Sequence, residues 1–253
     1  MPDIKRKPFV DVCLSPALYN LYDPTNSIVV VIDILRATSS ICVAFEYGAE
    51  CLVPVATVEE SKSYKKKGFL IGAERQGEML DGFDFGNSPF SYMDSRIRGS
   101  KIALTTTNGT RALTIAKNAH TVAVGSFLNL NALCKWLKQE QRDVICLCAG
   151  WKNSVNLEDT LFAGAVVDEL LGDFELSDFR DTAVAAQHLY HVAKDDMYNY
   201  LDNSSHRKRL QRLHIEEDII YCLKPNQTNV VPVLKGDTLY PVKKISEVKN
   251  KVL

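Results

Sequence analysis

The chain has 253 residues, of which 46% are hydrophobic and 24% charged, and its formal net charge is −1. That length suits one large α/β domain or two small ones with a sizeable core. The near-neutral balance excludes a global electrostatic attraction to nucleic acid or to anionic membrane, so any anion site is local. No stretch reaches ~18 uncharged apolar residues, and the region from Met1 to Pro8 carries basic residues without an apolar core. Neither membrane insertion nor export is therefore expected. The seven cysteines (Cys13, Cys42, Cys51, Cys134, Cys146, Cys148, Cys222) lie mostly in apolar runs. They read as buried free thiols of a reducing, cytoplasmic compartment.

In chain order, Phe9 to Leu14 alternates as a first strand, followed by a polar, proline-bearing connection from Ser15 to Thr25. Ser27 to Ile32 is a continuous β-branched run of the kind buried on both faces of a sheet. It ends at Asp33, and after Ile34, Leu35, Arg36, Ala37 and Thr38 a helical pattern runs to Gly48. Glu50 to Val55 reads as a strand, Val58 to Lys67 as a lysine-rich helix with a solvated face, and Phe69 to Gly72 as a short strand. From Glu74 to Pro89 runs a long loop rich in glycine, with four acids and an arginine, Arg75. Loops of that length inside a compact domain are usually functional, and Phe83, Phe85 and Phe90 give this one apolar anchors.

Lys101 to Leu113 changes period in its middle, from strand to helix. Between the halves lie Thr106, Thr107, Asn108, Gly109 and Thr110, then Arg111. Such a turn offers backbone N–H groups, hydroxyls and a positive helix end to one anion, although Asn108 or Thr110 serving as a simple helix cap explains the same string. Thr121 to Val124 is a strand, Asn129 to Gln139 an amphipathic helix, and Val144 to Ala149 a buried strand ending at Gly150. The helix from Thr160 to Leu171 follows, then helices over 183–201 and 204–213, and closing strands over 230–234 and 238–242.

A strand, a short polar loop and a helix thus occur three times, beginning at Ile28, Ile102 and Val144. The first two repeats continue alike, which points to tandem αβ units: a single domain over 1–253 whose similar halves would meet near 95–101. Read as parallel, the three strands deliver their loops to one carboxyl edge, where open α/β sheets bind ligands. Asp33 at that edge needs a partner or a cation, and its salt bridge to Arg36 is the plain alternative. Glu74, Asp81 and Asp84 offer oxygen ligands to a hard cation, with exposed loop acids as the alternative. Lys152 and Asn156 are further anion-site candidates. Glu158 and Asp159 read as first-turn acids favoured by the helix dipole, Asp159 most clearly. His188 and His191, three apart on a helix with no nearby acid, read as structural. There is no phosphate-binding G-x-x-x-x-G-K-[ST] loop, no second aspartate two residues after Asp33, and no cysteine–arginine phosphatase loop.

The strings Val31 to Thr38, Gly82 to Pro89, Thr106 to Leu113, Gly125 to Asn129 and Leu157 to Asp159 resemble, in this order, the 2-phosphosulfolactate phosphatase family. Ser205 to Leu210 and Asp218-Ile219 resemble its C-terminal region. The resemblance implies a three-layer α/β/α fold with a largely parallel or mixed sheet. It also implies a homodimer or other homo-oligomer, and a Mg²⁺-dependent hydrolase that takes phosphate from 2-phospho-3-sulfolactate on the way to coenzyme M. On that reading Asp33, Glu74 and Asp84 hold Mg²⁺, and Thr107, Asn108, Gly109 and Thr110 cradle the phosphoryl group of a small anionic substrate. Arg36, Arg75 and Arg111 neutralise its charge, with Asp33, Arg36 and Arg111 as the catalytic set. Thr38, Ser126 and Lys152 are added substrate contacts. Attack by water and covalent attack by Asp33 stay open, as does a non-catalytic anion-binding or regulatory protein.

Overall fold

The computed structural model describes residues 6–75, 78–178, 180–213 and 215–242. After β1 (Phe9–Cys13), the first repeat runs from β2 (Ile28–Ile32) through α1 (Ala37–Glu46) to β3 (Cys51–Pro54). Then come α2 (Val58–Lys65), β4 (Leu70–Arg75) and β5 (Glu78–Met79). The second repeat comprises β6 (Lys101–Thr105), α3 (Gly109–Ile115) and β7 (Thr121–Gly125), followed by α4 (Leu130–Glu140). Next are β8 (Val144–Cys148), α5 (Leu157–Leu170), β9 (Glu175–Leu176) and α6 (Thr182–Ala193). The chain closes with α7 (Met197–Tyr200), α8 (Ser205–Gln211), α9 (Glu216–Cys222), β10 (Pro232–Lys235) and β11 (Thr238–Pro241).

Among the described residues eleven strands join one sheet, in the order β5-β4-β6-β3-β11-β10-β7-β2-β8-β1-β9. Strands β7, β2, β8, β1 and β9 pair in parallel, as do β3, β6 and β4. The hairpin β10–β11 sits between these groups and pairs antiparallel with both. Helices cover both faces, so the fold is α/β with a mixed, mostly parallel sheet. The alternation of β2 divides the core. Ile28, Val30 and Ile32 pack with α4, α5 and α6, while Val29 and Val31 pack with α1 and α3. A smaller cluster under α2 covers β3, β4 and β6.

One expectation is corrected. Following the pairings through the hairpin, β6 runs opposite to β2, so the three loop-bearing strands are not all parallel. Their loops meet all the same. Five strand pairings separate β2 from β6, and a twist of about 20–25° per pairing accumulates to roughly 100–125°, which swings the carboxyl end of β6 back toward that of β2. Each repeat also crosses between the groups, β2 to β3 and β6 to β7, so the two units interlock.

The helix expected over 183–201 is broken. It stops at Ala193, and Asp196 caps a new turn by accepting from the Asn199 amide at 3.2 Å. Among the described residues no helix is long and apolar enough to cross a membrane. The seven cysteines are buried and unpaired. Helix α5 approaches α6 through Gly164, where an added Cβ would lie 2.1 Å from the Ala186 carbonyl oxygen. Gly164→Ala is therefore expected to force the helices apart, costing about 1–3 kcal/mol in chemical denaturation; an unchanged midpoint would show the contact to be soft.

Candidate active site

Strand β2 is fully buried and stops at Asp33, where the backbone turns to start α1. The turn is closed by Thr38, whose hydroxyl accepts from the Asp33 amide at 3.1 Å and whose amide donates to the Asp33 carbonyl at 2.9 Å. Thr38 is thus a scaffold for Asp33 and is wholly buried. Ser39 donates to Ile34 O at 2.9 Å, and Ser40 donates to Asn87 O at 2.7 Å, which ties the glycine-rich loop to α1.

The second repeat presents its turn beside Asp33. A Cβ on Gly109 would fall 2.8 Å from the Ala37 Cβ and 3.0 Å from Asp33 Oδ2, so only glycine lets the turn approach the carboxylate this closely. The helix cap here comes from Thr106, whose hydroxyl accepts from the Thr110 amide at 3.1 Å. Thr110 in turn spends its own hydroxyl on the Thr106 carbonyl. Asn108 makes no side-chain cap bond and lines the cavity instead, which resolves the capping alternative for that residue.

The cavity is about 460 Å³. Asp33, Glu74, Arg36, Arg75, Thr107, Asn108, Lys152 and Asn87 line it, together with Trp151, His206, Arg209 and Arg212. Of the residues expected at the site, Thr38, Gly109 and Thr110 belong to the turns beneath the cavity and do not line it, and Asp84, Arg111 and Ser126 stand elsewhere. Asp84 accepts from the Ile71 amide at 2.9 Å and faces Lys65 at 3.6 Å, so its carboxylate is used to hold β4. Arg111 is exposed and not among the cavity-lining residues. Ser126 caps the turn after β7 by accepting from the Leu128 amide at 3.3 Å, and shares a hydrogen bond with Ser39. Asp81 is exposed, and the Gln76-Gly77 part of the loop lies outside the described residues.

Helix α5 supplies acids that the dipole reading undervalued. Asp159 is buried and accepts from the Ile34 amide at 2.9 Å and the Gly150 amide at 3.1 Å, joining the ends of β2 and β8. Glu158 is fully buried and meets His206 Nδ1 at 2.5 Å, while its Oε2 is buried without a hydrogen-bond partner. Burial pushes the Asp33 carboxyl up to about 6; His206 opposes that rise, while Glu158 and Glu74 add to it. Burial, then Glu158 and Asp33, hold the Asp159 carboxyl well above the usual carboxylate range. Such a crowd of acids favours binding a cation or a proton.

Arg36 is not paired with Asp33. Its guanidinium is in an ion pair with Asp218 of α9, and Ser88 donates to the same carboxylate at 2.7 Å. His206, Arg209 and Arg212 come from or just after α8, whose start is capped by Ser204 accepting from the Arg207 amide at 3.0 Å. The sequence signals for them were the basic composition of 206–212, which reads equally as a solvated face, and the resemblance of Ser205 to Leu210 to the family's C-terminal region. His191, expected to be structural, meets Asp168 at 2.7 Å away from this cavity.

The family described as 2-phosphosulpholactate phosphatase matches residues 13–237. A relative named probable 2-phosphosulfolactate phosphatase, from Caldanaerobacter subterraneus subsp. tengcongensis, is 38% identical over 214 residues, covering 82% of this chain and 88% of that protein. One of the same name from Thermotoga maritima is 40% identical over 205 residues, covering 81% and 88%. Another from Clostridium perfringens is 33% identical over 246 residues, covering 95% and 99%. The matched span contains every element that contributes to the cavity, and the chain belongs to the 2-phosphosulpholactate phosphatase family.

Proposed function

We propose that the chain is a Mg²⁺-dependent phosphatase that releases phosphate from a small phosphorylated sulfo- or carboxylic acid, 2-phosphosulfolactate being the type substrate. Membership of the family makes it a phosphoric monoester hydrolase; the metal, the substrate, a homo-oligomeric state, a cytoplasmic location and a place in coenzyme M synthesis belong to the proposal. The observation that carries it is the buried Asp33 carboxylate, set against the Thr106–Gly109 turn in a cavity lined by five Arg and Lys side chains.

The donor set fits a hard cation. Asp33 and Glu74 both line the cavity, and Asn87, which donates to Glu74 at 3.5 Å, has a buried Oδ1 without a hydrogen-bond partner. Among the described residues no three His, Cys, Asp or Glu side chains form a ready-made metal cluster. Mg²⁺ commonly takes one or two carboxylates and completes its shell with water and phosphate oxygens. Asp33 and Glu74 would hold it, with Asn87 as an added oxygen. The chemistry supplied by a bound Mg²⁺ is charge neutralisation at phosphoryl oxygens and a lowered pKa for coordinated water.

The chain's own part follows from the placement of its residues. Thr107, Asn108 and the amides of the turn orient the phosphoryl group, and Arg36, fixed by Asp218, balances charge on its oxygens. His206 turns Nδ1 to Glu158, and Nε2 is the ring nitrogen that would pass a proton to the departing ester oxygen from the protonated ring. The test is release of phosphate from a set of small phosphomonoesters with and without Mg²⁺. Hydrolysis that requires Mg²⁺ and prefers an anionic ester is expected. Thermal stabilisation by phosphate that ignores Mg²⁺, with no hydrolysis of any ester, would overturn the reading in favour of an anion-binding protein. Gly109→Ala, which drives a methyl against Asp33, is expected to cut kcat about 10–100-fold with an unchanged circular dichroism spectrum. Full activity in that variant would separate the turn from the reaction.

A further inference from the structure

Trp151 is part of the cavity lining, with Lys152 beside it. The tryptophan lies in a short turn closed in both directions, with the Trp151 amide donating to Ser154 O at 3.1 Å and the Ser154 amide donating to Trp151 O at 2.9 Å. Lys152 and Asn153 sit in the left-handed region at φ 51° and 65°. Non-glycine residues there cost of order 1 kcal/mol each, so the turn persists only because its surroundings hold it. Gly150 begins the turn at φ 58°, where a Cβ would lie 2.2 Å from Ser154 O, and Ser15 donates to Asn153 O at 2.6 Å. Ordinary loop chemistry does not require this conformation. Its effect is to set the Trp151 ring and the Lys152 ammonium at the cavity wall.

Two cations share that ring. Lys152 Nζ lies 4.5 Å from its centroid and Arg209 Cζ lies 4.1 Å from it. Arg209 donates from Nη1 to Ser205 Oγ at 3.4 Å, and its Nη2 is buried without a hydrogen-bond partner. Among the described residues neither side chain has a carboxylate within ion-pair distance, and the charge of Glu158 reaches Arg209 only through space. The contrast with nearby arginines is sharp: Arg36 is matched by Asp218, and Arg207, two residues from Arg209, by Asp202. Two like charges held on one ring repel, and an unsatisfied buried donor is costly. Both side chains line the cavity, and an anion bound there relieves both.

The phosphoryl group is already accounted for at the turn beside Asp33. We propose that Arg209 and Lys152, seated on Trp151, receive the second anionic group of the substrate, a carboxylate or sulfonate, and that Arg209 is the residue that selects esters carrying one. The assignment rests on the phosphatase reading above. It makes a phosphomonoester with an anion one or two carbons from the ester oxygen a far better substrate than a neutral alkyl phosphate.

The experiment compares wild type, Arg209→Met and Arg209→Lys with Mg²⁺ present, on 2-phospholactate, on the phosphate ester of 2-hydroxyethanesulfonate, and on ethyl phosphate. Calorimetric binding of sulfolactate, which has nothing to hydrolyse, is measured alongside. Arg209→Met is expected to lose about 30-fold or more in kcat/KM on one or both anionic esters, chiefly through KM, and less than about 3-fold on ethyl phosphate. Arg209→Lys recovers part of the loss, and sulfolactate binding weakens in parallel. The larger loss of the two esters identifies the group as carboxylate or sulfonate. Equal losses on all three esters, or none, would overturn the assignment. Wild type that hydrolyses all three without preference defeats the assignment and leaves the phosphatase reading standing. If no ester is hydrolysed, the phosphatase reading fails, and sulfolactate binding that depends on Arg209 still supports the anion site while binding indifferent to it overturns that site too.

Discussion

Asp33→Asn is expected to lower kcat by ~10³-fold or more while raising the melting temperature of the metal-free protein. The two effects share one cause. Asp33 is buried at the end of β2 with Glu158 and Glu74 close enough to raise its pKa, and it raises that of Asp159 in turn. Its carboxyl moves from 3.8 to about 6 on folding, with burial the largest cause. A carboxyl raised in this way binds more protons folded than unfolded between the two values. Stability therefore falls as pH rises across that window, and the full penalty is present above it. Asparagine keeps the shape and can still accept from the Ala37 amide, but it carries no charge. Calorimetry in EDTA should show the variant melting above wild type at pH 8, with the two converging toward pH 4. Equal melting temperatures at pH 8 would show that Asp33 bears no charge penalty, and turnover within tenfold of wild type would remove it from the reaction. The tension is the usual one at a site that spends stability on reactivity.

The parts of this site written in local sequence were legible. The Ile28–Ile32 run could only be a doubly buried strand, and its abrupt end at Asp33 marked the residue around which the cavity forms. The Thr106–Thr110 string announced a strand-to-helix turn, which the structure sets beside Asp33. What sequence could not supply was the set of partners, because they are far away along the chain. Asp218 reaches Arg36 across 182 positions, and His206 reaches Glu158 across 48. Nothing local distinguishes Arg209, which lies on a tryptophan ring, from its neighbour Lys208, which is exposed. Asp84 shows the converse error. An acid in a glycine-rich loop has the look of a ligand, yet its side chain turns back to the Ile71 amide. The direction of β6 was hidden for a similar reason, since it is set by a hairpin more than 120 residues later.

Asp218→Ala should be the most destabilising single change near the cavity, costing about 3–5 kcal/mol. The side chains of Arg36 and Asp218 are only 3% and 7% exposed, so the pair has given up most of its water. Removing the carboxylate takes the Asp218 charge away from a buried guanidinium and strands the Ser88 hydroxyl, which donates to the same group at 2.7 Å. For a chain of this size the loss corresponds to roughly 6–20 °C in melting temperature. Replacing both members with apolar residues of similar volume, Arg36→Met with Asp218→Leu, should restore most of that stability, because the desolvation cost of the ion pair disappears along with its attraction. It should not restore turnover, since Arg36 lines the cavity where the phosphoryl charge is balanced. A stable but inactive double variant would thus show that the buried pair is kept for the guanidinium it holds in place. If the double variant is as unstable as Asp218→Ala, the pair is structural first, and the position of Arg36 at the cavity is a consequence of folding.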